Sequence, residues 1–176
     1  MERVPIAVED LVLQSYHAWR RRWFLLSTGD FSAGKYNCMT VAWGAVGSMW
    51  DRPVAIVAVK PSRYSFGFLE RYPSFTLCQF PASWKRTLLY LGSKSGRDTD
   101  KITESGLTPI ASSRVAAPSF AEAELVIECE IVYADDYKPE GFKKEALHDS
   151  NRSQSYHRLF FGEIKAVFGS EGYRVR

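Results

Sequence analysis

A polar segment in the middle of the chain carries the residue types best suited to binding an anion. Residues 92–101 read Gly-Ser-Lys-Ser-Gly-Arg-Asp-Thr-Asp-Lys, so glycines and hydroxyls alternate with the cations Lys94, Arg97 and Lys101. Backbone N–H groups of such a loop can surround a phosphate while the cations neutralise it. The GxxxxGK[ST] order of a P-loop is missing. From these residues alone, an anion site and an ordinary polar surface loop are equally good interpretations.

A second candidate anion site is the segment of residues 60–64, Lys-Pro-Ser-Arg-Tyr. It follows a continuous apolar run and precedes a predicted helix, and such a junction gathers free N–H donors at the positive end of the helix. Arg63 adds a fork of donors that matches a phosphate. Taken alone, a strand-to-helix turn capped by Ser62 is the better interpretation of this segment.

Residues able to contact a flat ring lie in two further places. Residues 37–44 read Asn-Cys-Met-Thr-Val-Ala-Trp-Gly, in which Asn37 and Thr40 can hydrogen-bond an amide-rich ring and Trp43 offers a stacking face. His157 opens the last predicted strand and can hydrogen-bond the edge of a nicotinamide or flavin ring. Composition alone favours a plain core strand and a structural histidine. No Ser-His-Asp pattern, HExxH motif or paired cysteine supports a hydrolase or a metal site.

Strands dominate the elements that must position these residues. Six segments have the apolar, β-branched or aromatic character of strands, at residues 23–28, 37–43, 54–59, 75–80, 124–133 and 159–167. Gly162, inside the last one, predicts a bulge or a close backbone approach. Short helices are predicted over 65–71, 82–91 and 99–105, the first capped by Ser62 and the last ending at Gly106. This order favours a mainly β fold, a barrel with a few appended helices. A Rossmann domain is disfavoured because no GxGxxG joins a strand to a helix.

Bulk composition narrows the class of protein. The 176 residues predict one domain with its own core, and the net charge of +3 is too small to indicate a nucleic-acid partner. The basic run at residues 20–22 is interpreted as the solvated start of a strand. Three cysteines with no close pair argue against a disulfide framework and favour a reducing, cytoplasmic setting. No segment has the length and apolarity of a signal core or a membrane span.

Taken together, these segments resemble the flavin reductase-like family of FMN-binding split barrels, especially its flavoredoxin-type branch. The matching positions appear in the family's order from about residue 23 to residue 164. They are Asn37-Cys38-Met39-Thr40 with Trp43-Gly44, residues 52–54, residues 61–64, residues 92–98 with Asp100-Lys101, residues 106–109, residues 125–129, and His157 with residues 162–164. Two positions depart from the family, because Cys38 stands where threonine is frequent and Leu91 where cysteine is common.

The resemblance implies a Greek-key split β-barrel over residues 1–176, usually a homodimer with FMN near the interface. Asn37, Met39, Thr40 and Trp43 would then line the isoalloxazine and ribityl groups, and Cys38 joins the binding set by its place in that motif. Ser62, Arg63 and Tyr64 would form another wall. The phosphate would be held by Lys94, Ser95, Gly96 and Lys101, and His157 would lie near the redox face as the catalytic candidate.

Three functions are compatible with this resemblance. The first is an oxidoreductase that takes hydride from NAD(P)H onto flavin N5, the flavin carrying the chemistry and the protein supplying orientation. The alternative is an FMN-bound electron carrier without NAD(P)H activity that serves redox partner proteins. The third is an FMN-binding or purely structural version of the fold, since a fold does not fix a function.

Overall fold

Ten β-strands make up most of the regular structure in the residues that the computed structural model describes, 2–147 and 156–175. In chain order they are β1 (Val4–Pro5), β2 (Phe24–Asp30), β3 (Lys35–Val41), β4 (Gly44–Met49), β5 (Arg52–Val59), β6 (Ser74–Gln79), β7 (Pro109–Ile110), β8 (Ser119–Phe120), β9 (Leu125–Asp136) and β10 (Arg158–Gly169). Four α-helices have fully described bounds: α1 (Ser15–His17), α2 (Tyr64–Arg71), α3 (Lys85–Ser93) and α4 (Lys101–Ser105).

A single antiparallel sheet frames the molecule. Its strands run in the order β3-β2-β6-β9-β10-β5-β4, and β1 pairs with β10 beside this path. Strands β7 and β8 form a separate small pair. The sheet curls until β3 contacts β5, so its two ends approach each other. This arrangement confirms the predicted mainly β split barrel.

The two longest strands, β9 and β10, form the back of the barrel and contain the predicted irregularity. Their register shifts between Phe161 and Gly162 and again between Ile164 and Ala166. A Cβ at Gly162 would lie 2.6 Å from the Phe75 ring and 2.7 Å from Cβ of Cys129. The glycine therefore marks both a bulge and a close approach, as its position in a strand pattern predicts.

Apolar side chains cover both faces of the curled sheet. One cluster fills the barrel interior, with Phe24, Leu26, Val57, Phe75 and Phe160 among its buried members. A second cluster lies between the outer face of β2, β3, β6 and β9 and the helices α3 and α4. Because successive side chains of a strand point to opposite faces, neighbouring residues of β3 join different clusters.

The basic run at residues 20–22 is not the start of a strand, and that interpretation is wrong. A π-helical turn spans Ala18–Arg22, and Trp23 follows with a φ of 65°. Arg22 turns inward, donates to the backbone oxygen of Phe80 at 2.7 Å and forms an ion pair with Glu124. Arg20 and Arg21 are exposed as predicted, whereas Arg22 belongs to a partly buried ion pair.

The predicted helices are present with shifted ends. Helix α2 begins after Arg63, which occupies the N-cap position without a side-chain cap bond, so the prediction of Ser62 as the cap is wrong. Asp100 caps α4 by accepting from the backbone N–H of Thr103, and Gly106 ends that helix with a left-handed φ of 74°. Within residues 2–147 and 156–175, no helix has the length and apolar character that crossing a membrane demands.

Strand β4 was not predicted from the sequence. Its residues, Gly-Ala-Val-Gly-Ser-Met, are nearly all exposed and show no apolar alternation. A two-residue turn joins it to β5, and both turn residues, Trp50 and Asp51, have positive φ, at 54° and 56°. Two positive φ angles are typical of the hairpin turn that matches strand twist, where glycine or asparagine is the usual choice. The tryptophan hides this turn from sequence-based prediction.

Candidate functional site

Two adjoining cavities bring nearly all of the predicted site residues together. The larger, here called the ring cavity, has a volume of about 450 Å³ and is lined by Met39, Thr40, Val41, Ala42, Trp43, Ala58, Lys60, Ser62, Arg63 and His157. The smaller, here called the loop cavity, measures about 130 Å³ and includes Asn37, Met39, Ser62, Arg63, Tyr64, Lys94, Ser95, Gly96, Arg97 and Lys101 in its lining. They share Met39, Ser62 and Arg63 in their linings, so the two cavities lie side by side between the indole of Trp43 and the polar loop.

Cys38 is the one predicted site residue that lines neither cavity. Its side chain is fully buried in the second core cluster, on the other face of β3 from Met39. Burial raises the pKa of the Cys38 thiol to about 12, partly opposed by the charge of Lys101. The thiol therefore stays protonated at neutral pH and packs as a small apolar group.

Strand β3 supplies one wall of each cavity, and hydrogen bonds fix its polar side chains. Asn37 donates from Nδ2 to Oγ of Ser65 at 2.7 Å, and the asparagine is 4% exposed. Thr40 donates from Oγ1 to the backbone oxygen of Leu88 at 2.6 Å. One N–H of Asn37 and the hydroxyl proton of Thr40 are thus engaged by the protein, and the Thr40 lone pairs are left for a ligand.

The ring cavity contains an aromatic pair with an unused polar atom. The imidazole of His157 stacks on the indole of Trp43, with ring centroids 4.6 Å apart and planes at 28°. His157 is buried, and its Nδ1 has no hydrogen-bond partner among the described residues. Trp43 is 53% exposed and forms the outer lip of the cavity. A buried nitrogen without a partner is costly, so it marks a place where a ligand atom would be stabilising.

Burial and nearby cations keep His157 neutral. Burial is the main cause and the charges of Lys60 and Arg63 add to it, lowering the pKa of His157 to about 4. At neutral pH the imidazole is uncharged and offers one donor and one acceptor nitrogen. The ring therefore acts as a neutral hydrogen-bonding group, because the doubly protonated, charged form is disfavoured.

The polar loop is fastened to the segment of residues 60–64. Arg63 donates from Nη1 to the backbone oxygen of Gly92 at 3.2 Å, and Arg97 donates to the backbone oxygen of Ser62 at 3.3 Å. A Cβ at Gly96 would collide with Oδ1 of Asn37, so only glycine lets the loop lie this close to β3. The two anion-binding candidates of the sequence therefore form one site.

Lys101 is buried, although its place in a polar segment suggests an exposed cation. It is 3% exposed, and Nζ donates to the backbone oxygens of Leu91 at 2.9 Å and Lys94 at 3.0 Å. Two of its three N–H donors thus satisfy carbonyls at the end of α3. Burial lowers the pKa of Lys101, partly opposed by its interaction with Cys38. Its charge lies beneath the loop cavity, whereas Lys94 is exposed at its rim.

Lys60, Arg97 and Ser65 are among the lining residues that sequence analysis did not predict as site residues. Lys60 and Arg97 lie inside segments that were singled out, so charge and position were sufficient signals for both. Ser65, the partner of Asn37, carries no such signal because its role depends on the meeting of β3 with α2.

The lowered pKa of His157 predicts a specific loss of stability in acid. An unfolded histidine titrates near pH 6.5, whereas the folded ring resists protonation until about pH 4. The unfolded state therefore binds the extra proton first, and stability falls as pH decreases through this window. From about pH 7 to about pH 5, we expect wild type to lose about 1–2 kcal/mol more than His157→Gln.

Urea unfolding of both proteins at the two pH values measures this difference. His17→Gln, a change at an exposed histidine, is the matched control and should keep the wild-type response. If His157→Gln loses as much stability as wild type, the buried imidazole does not titrate as described.

Comparison with known proteins agrees with this architecture. The chain is 31% identical over 101 residues to an uncharacterized protein of Pyrococcus abyssi, an alignment that covers 57% of each sequence. It superimposes on the flavoredoxin of Desulfovibrio vulgaris (Miyazaki F) with a TM-score of 0.67 and 24% identity, covering 92% of this chain and 75% of that one. An FMN-binding protein of Thermus thermophilus gives a TM-score of 0.66 and 23% identity, covering 89% of this chain and 75% of that one.

At 24% and 23% sequence identity, these two structural matches show that the fold is shared. The alignment with the archaeal relative spans only 57% of that protein's length. The family assignment comes from the sequence profile of the flavin reductase like domain, which matches residues 20–174 and so includes every lining residue of both cavities. The chain belongs to the flavin reductase-like family.

Proposed function

We propose that the chain is a flavoprotein that binds FMN non-covalently across the ring and loop cavities. The observation that carries this proposal is that the two cavities are neighbours and share Met39, Ser62 and Arg63 in their linings. A ligand with a flat ring at one end and a phosphate at the other needs this combination of linings. The FMN-binding protein of Thermus thermophilus, which shares the fold, supports the choice of ligand.

The residues present fit such a cofactor chemically. The orphaned Nδ1 of His157 would find a partner on a ring edge that carries both donors and acceptors. At the other end, Ser95, the backbone around Gly96 and the ammonium of Lys94 supply the donors that a phosphate requires. When bound, the flavin supplies two-electron redox chemistry that no side chain of the protein offers.

The protein would then contribute position, shielding and electrostatics. Trp43 and Met39 cover apolar ring surface, while the fastened guanidinium of Arg63 and the ammonium of Lys60 place positive charge beside the ring cavity. Fixed cations favour a ligand that gains negative charge on reduction. Neutral His157 would hold the ring edge by a hydrogen bond at Nδ1, and this is its proposed catalytic role.

Flavin binding and its phosphate dependence test this proposal directly. We expect wild type to bind FMN with the absorbance of a bound flavin, and Lys94→Ala to weaken FMN by about 1–2 kcal/mol. Riboflavin lacks the phosphate, so its affinity should hardly change. Isothermal titration of both ligands gives the two dissociation constants.

Arg86→Ala removes the same charge from an exposed position on α3 that lines neither cavity, and it should leave both affinities unchanged. Lys94 is preferred to Lys101 for this test because losing the two carbonyl bonds of Lys101 would disturb the end of α3. Equal weakening of FMN and riboflavin by Lys94→Ala would place the phosphate elsewhere, and no FMN binding by wild type would refute the proposal.

Within this function, we propose NAD(P)H:flavin oxidoreductase activity. The supporting observation is the half-exposed Trp43 at the lip of the ring cavity, which leaves the cavity open to a second flat ring such as a nicotinamide. The alternative, an FMN-bound electron carrier serving a redox partner protein, is supported by the likeness to a flavoredoxin.

Anaerobic mixing of the FMN-loaded protein with NADH or NADPH separates the two. We expect one or both to bleach the flavin absorbance, with dithionite as the control for complete reduction. Bleaching by dithionite alone would leave the electron carrier as the function.

We further propose that the protein is a homodimer whose contact includes β4. This strand ends the sheet, and no strand among residues 2–147 and 156–175 pairs with its outer edge. It carries no charge, is exposed along most of its length and is flanked by the exposed Trp43 and Trp50. An uncharged, open edge lacks the charged side chains that usually keep an edge strand from pairing, so a second chain could pair with it. Trp43 belongs to the ring cavity, so a partner at this edge would complete the FMN site.

A charge in the middle of β4 tests the dimer. A Cβ at Gly47 meets nothing within 4 Å, so Gly47→Glu should leave the protomer folded while placing a charge at the contact. We expect the dimer dissociation constant to rise at least roughly tenfold, about 1.4 kcal/mol. Loss of FMN should accompany dissociation, because a ligand bound only by the dimer stabilises it.

Sedimentation velocity of the FMN-loaded protein over a dilution series measures both effects. Gly172→Glu adds the same charge at another glycine whose surroundings are open, and it should behave as wild type. A wild-type monomer that keeps its flavin at every concentration would rule out a shared site.

We propose that the protein works in a reducing, cytoplasmic setting, and the state of its cysteines supports this. Cys38, Cys78 and Cys129 are all free and buried. Free thiols are the usual state of cysteine in such a compartment.

A further inference from the structure

A surface cluster of cations lies where the π-helical turn at Ala18–Arg22 meets the start of α3. Arg20, Arg21 and Arg86 are exposed, and Lys85 is half-buried. Nζ of Lys85 donates to the backbone oxygen of Arg21, so the two segments are in contact. We define the basic patch as these four cations together with the side chains of Tyr16, Trp23, Trp84 and Leu89. None of them lines the ring cavity or the loop cavity, so the proposed flavin site does not use them.

The two chain segments that form the basic patch carry cations without acids. No aspartate or glutamate occurs between residues 11 and 29 or between residues 71 and 97. Among residues 2–147 and 156–175, none of the four cations forms an ion pair. Burial lowers the pKa of Lys85, and the positive charges of Arg21 and Arg22 lower it further. Like charges held together without a counter-charge repel one another, so an anionic partner at this surface would be stabilising.

Apolar and aromatic side chains lie among these cations. Leu89 is 54% exposed and follows Arg86 by three residues on α3, so the two share the outer face of that helix. Tyr16, four residues before Arg20, is 78% exposed. The indoles of the basic patch are half-buried and reach its surface. Tyrosine and tryptophan, which combine an apolar ring with a polar edge, are typical of the boundary between lipid and water.

This combination favours a lipid surface over a nucleic acid. Single-stranded nucleic acids bind by stacking their bases on open aromatic faces. The ammonium of Lys85 already covers the ring of Trp23, 3.1 Å from its centroid, and Trp84 packs against Phe80 with centroids 6.4 Å apart. An exposed leucine gives a phosphate backbone nothing to bind. In a bilayer it enters the apolar boundary while the neighbouring cations stay with the headgroups.

We propose that the basic patch binds the surface of a membrane rich in anionic phospholipids. The contact is peripheral: Arg20, Arg21 and Arg86 bind headgroup phosphates, and Leu89 enters the layer just beneath them. Helix α3 begins in the basic patch and ends at the polar loop, so this contact would hold the candidate site beside the membrane. The proposal does not depend on flavin binding.

Sedimentation with sucrose-loaded vesicles tests the basic patch. We expect wild type to bind vesicles of phosphatidylcholine mixed with phosphatidylglycerol at least roughly tenfold more tightly than vesicles of phosphatidylcholine alone. Salt should weaken this binding, because it screens exposed charges. The double variant Arg20→Glu/Arg86→Glu should lose at least roughly tenfold in affinity for the anionic vesicles. Leu89→Ser should lose at least roughly threefold and keep the salt dependence.

Lys143→Glu/Lys144→Glu is the matched control, because it reverses the same number of charges at exposed cations outside the basic patch. It should stay within about twofold of wild type in vesicle affinity. All the substituted side chains are exposed, so urea unfolding should give nearly the wild-type stability for each variant. FMN affinity should not change in Arg20→Glu/Arg86→Glu, so the membrane proposal and the flavin proposal stand or fall separately.

Equal binding of wild type to the two kinds of vesicle, or binding to neither, would overturn the proposal. So would undiminished binding of Arg20→Glu/Arg86→Glu to the anionic vesicles. A fluorescent single-stranded oligonucleotide tests the other anionic partner. If wild type binds it more tightly than the anionic vesicles, and Arg20→Glu/Arg86→Glu loses that binding, the basic patch is a nucleic-acid surface and the membrane proposal is wrong.

Discussion

Asn37 donates a buried hydrogen bond to Ser65, and the candidate site is built around that contact. The bond joins the middle of β3 to the first turn of α2, two elements that lie far apart in sequence. Gly96 then packs against the same asparagine, which brings the polar loop to the junction. Three segments meet at one amide group because a buried polar side chain requires partners. Removing the amide would leave the Ser65 hydroxyl unpaired and the loop without its contact.

The curled sheet makes this meeting possible. Its interior face encloses one apolar cluster, while its outer face near β3 is covered by α3. Lys101 then anchors the end of α3 through two backbone oxygens, and the loop that follows lies over the buried ammonium. The positive charge beneath the loop is therefore part of the folded framework. The exposed cations at the rim, Lys94 and Arg97, do not contribute their side chains to this anchor of α3.

Much of this architecture was predictable from local patterns. The strands with continuous apolar runs, such as β5 and β10, and the glycine at the bulge of β10 were identified because burial and backbone sterics act on neighbouring residues. Strand β4 was missed because its uncharged small residues are exposed and show no alternation. The cap of α2 was misassigned to Ser62 because Arg63 occupies the N-cap position without forming a side-chain cap bond.

The site was predictable as a set of residues but not as a geometry. Order along the chain was sufficient to group twelve of the thirteen candidates, yet it did not show that Cys38 points into the core or that Lys101 is buried. Both outcomes depend on which face of β3 meets α3, a property of the tertiary structure. The stacking of His157 on Trp43 likewise joins two residues that flank strands and are distant in sequence.

The burial of the sulfur atoms has a consequence for chemical durability. Burial raises the pKa of the Cys38 and Cys78 thiols to about 12, and that of Cys129 is raised by burial as well. At pH 7 these thiols are therefore protonated, and the thiolate is the form that reacts with peroxides and disulfides. Oxidants would therefore reach a cysteine sulfur only when the sheet opens. The lifetime of these thiols under oxidative stress is set by the unfolding equilibrium of the barrel, and it should lengthen with every ligand that stabilises the fold.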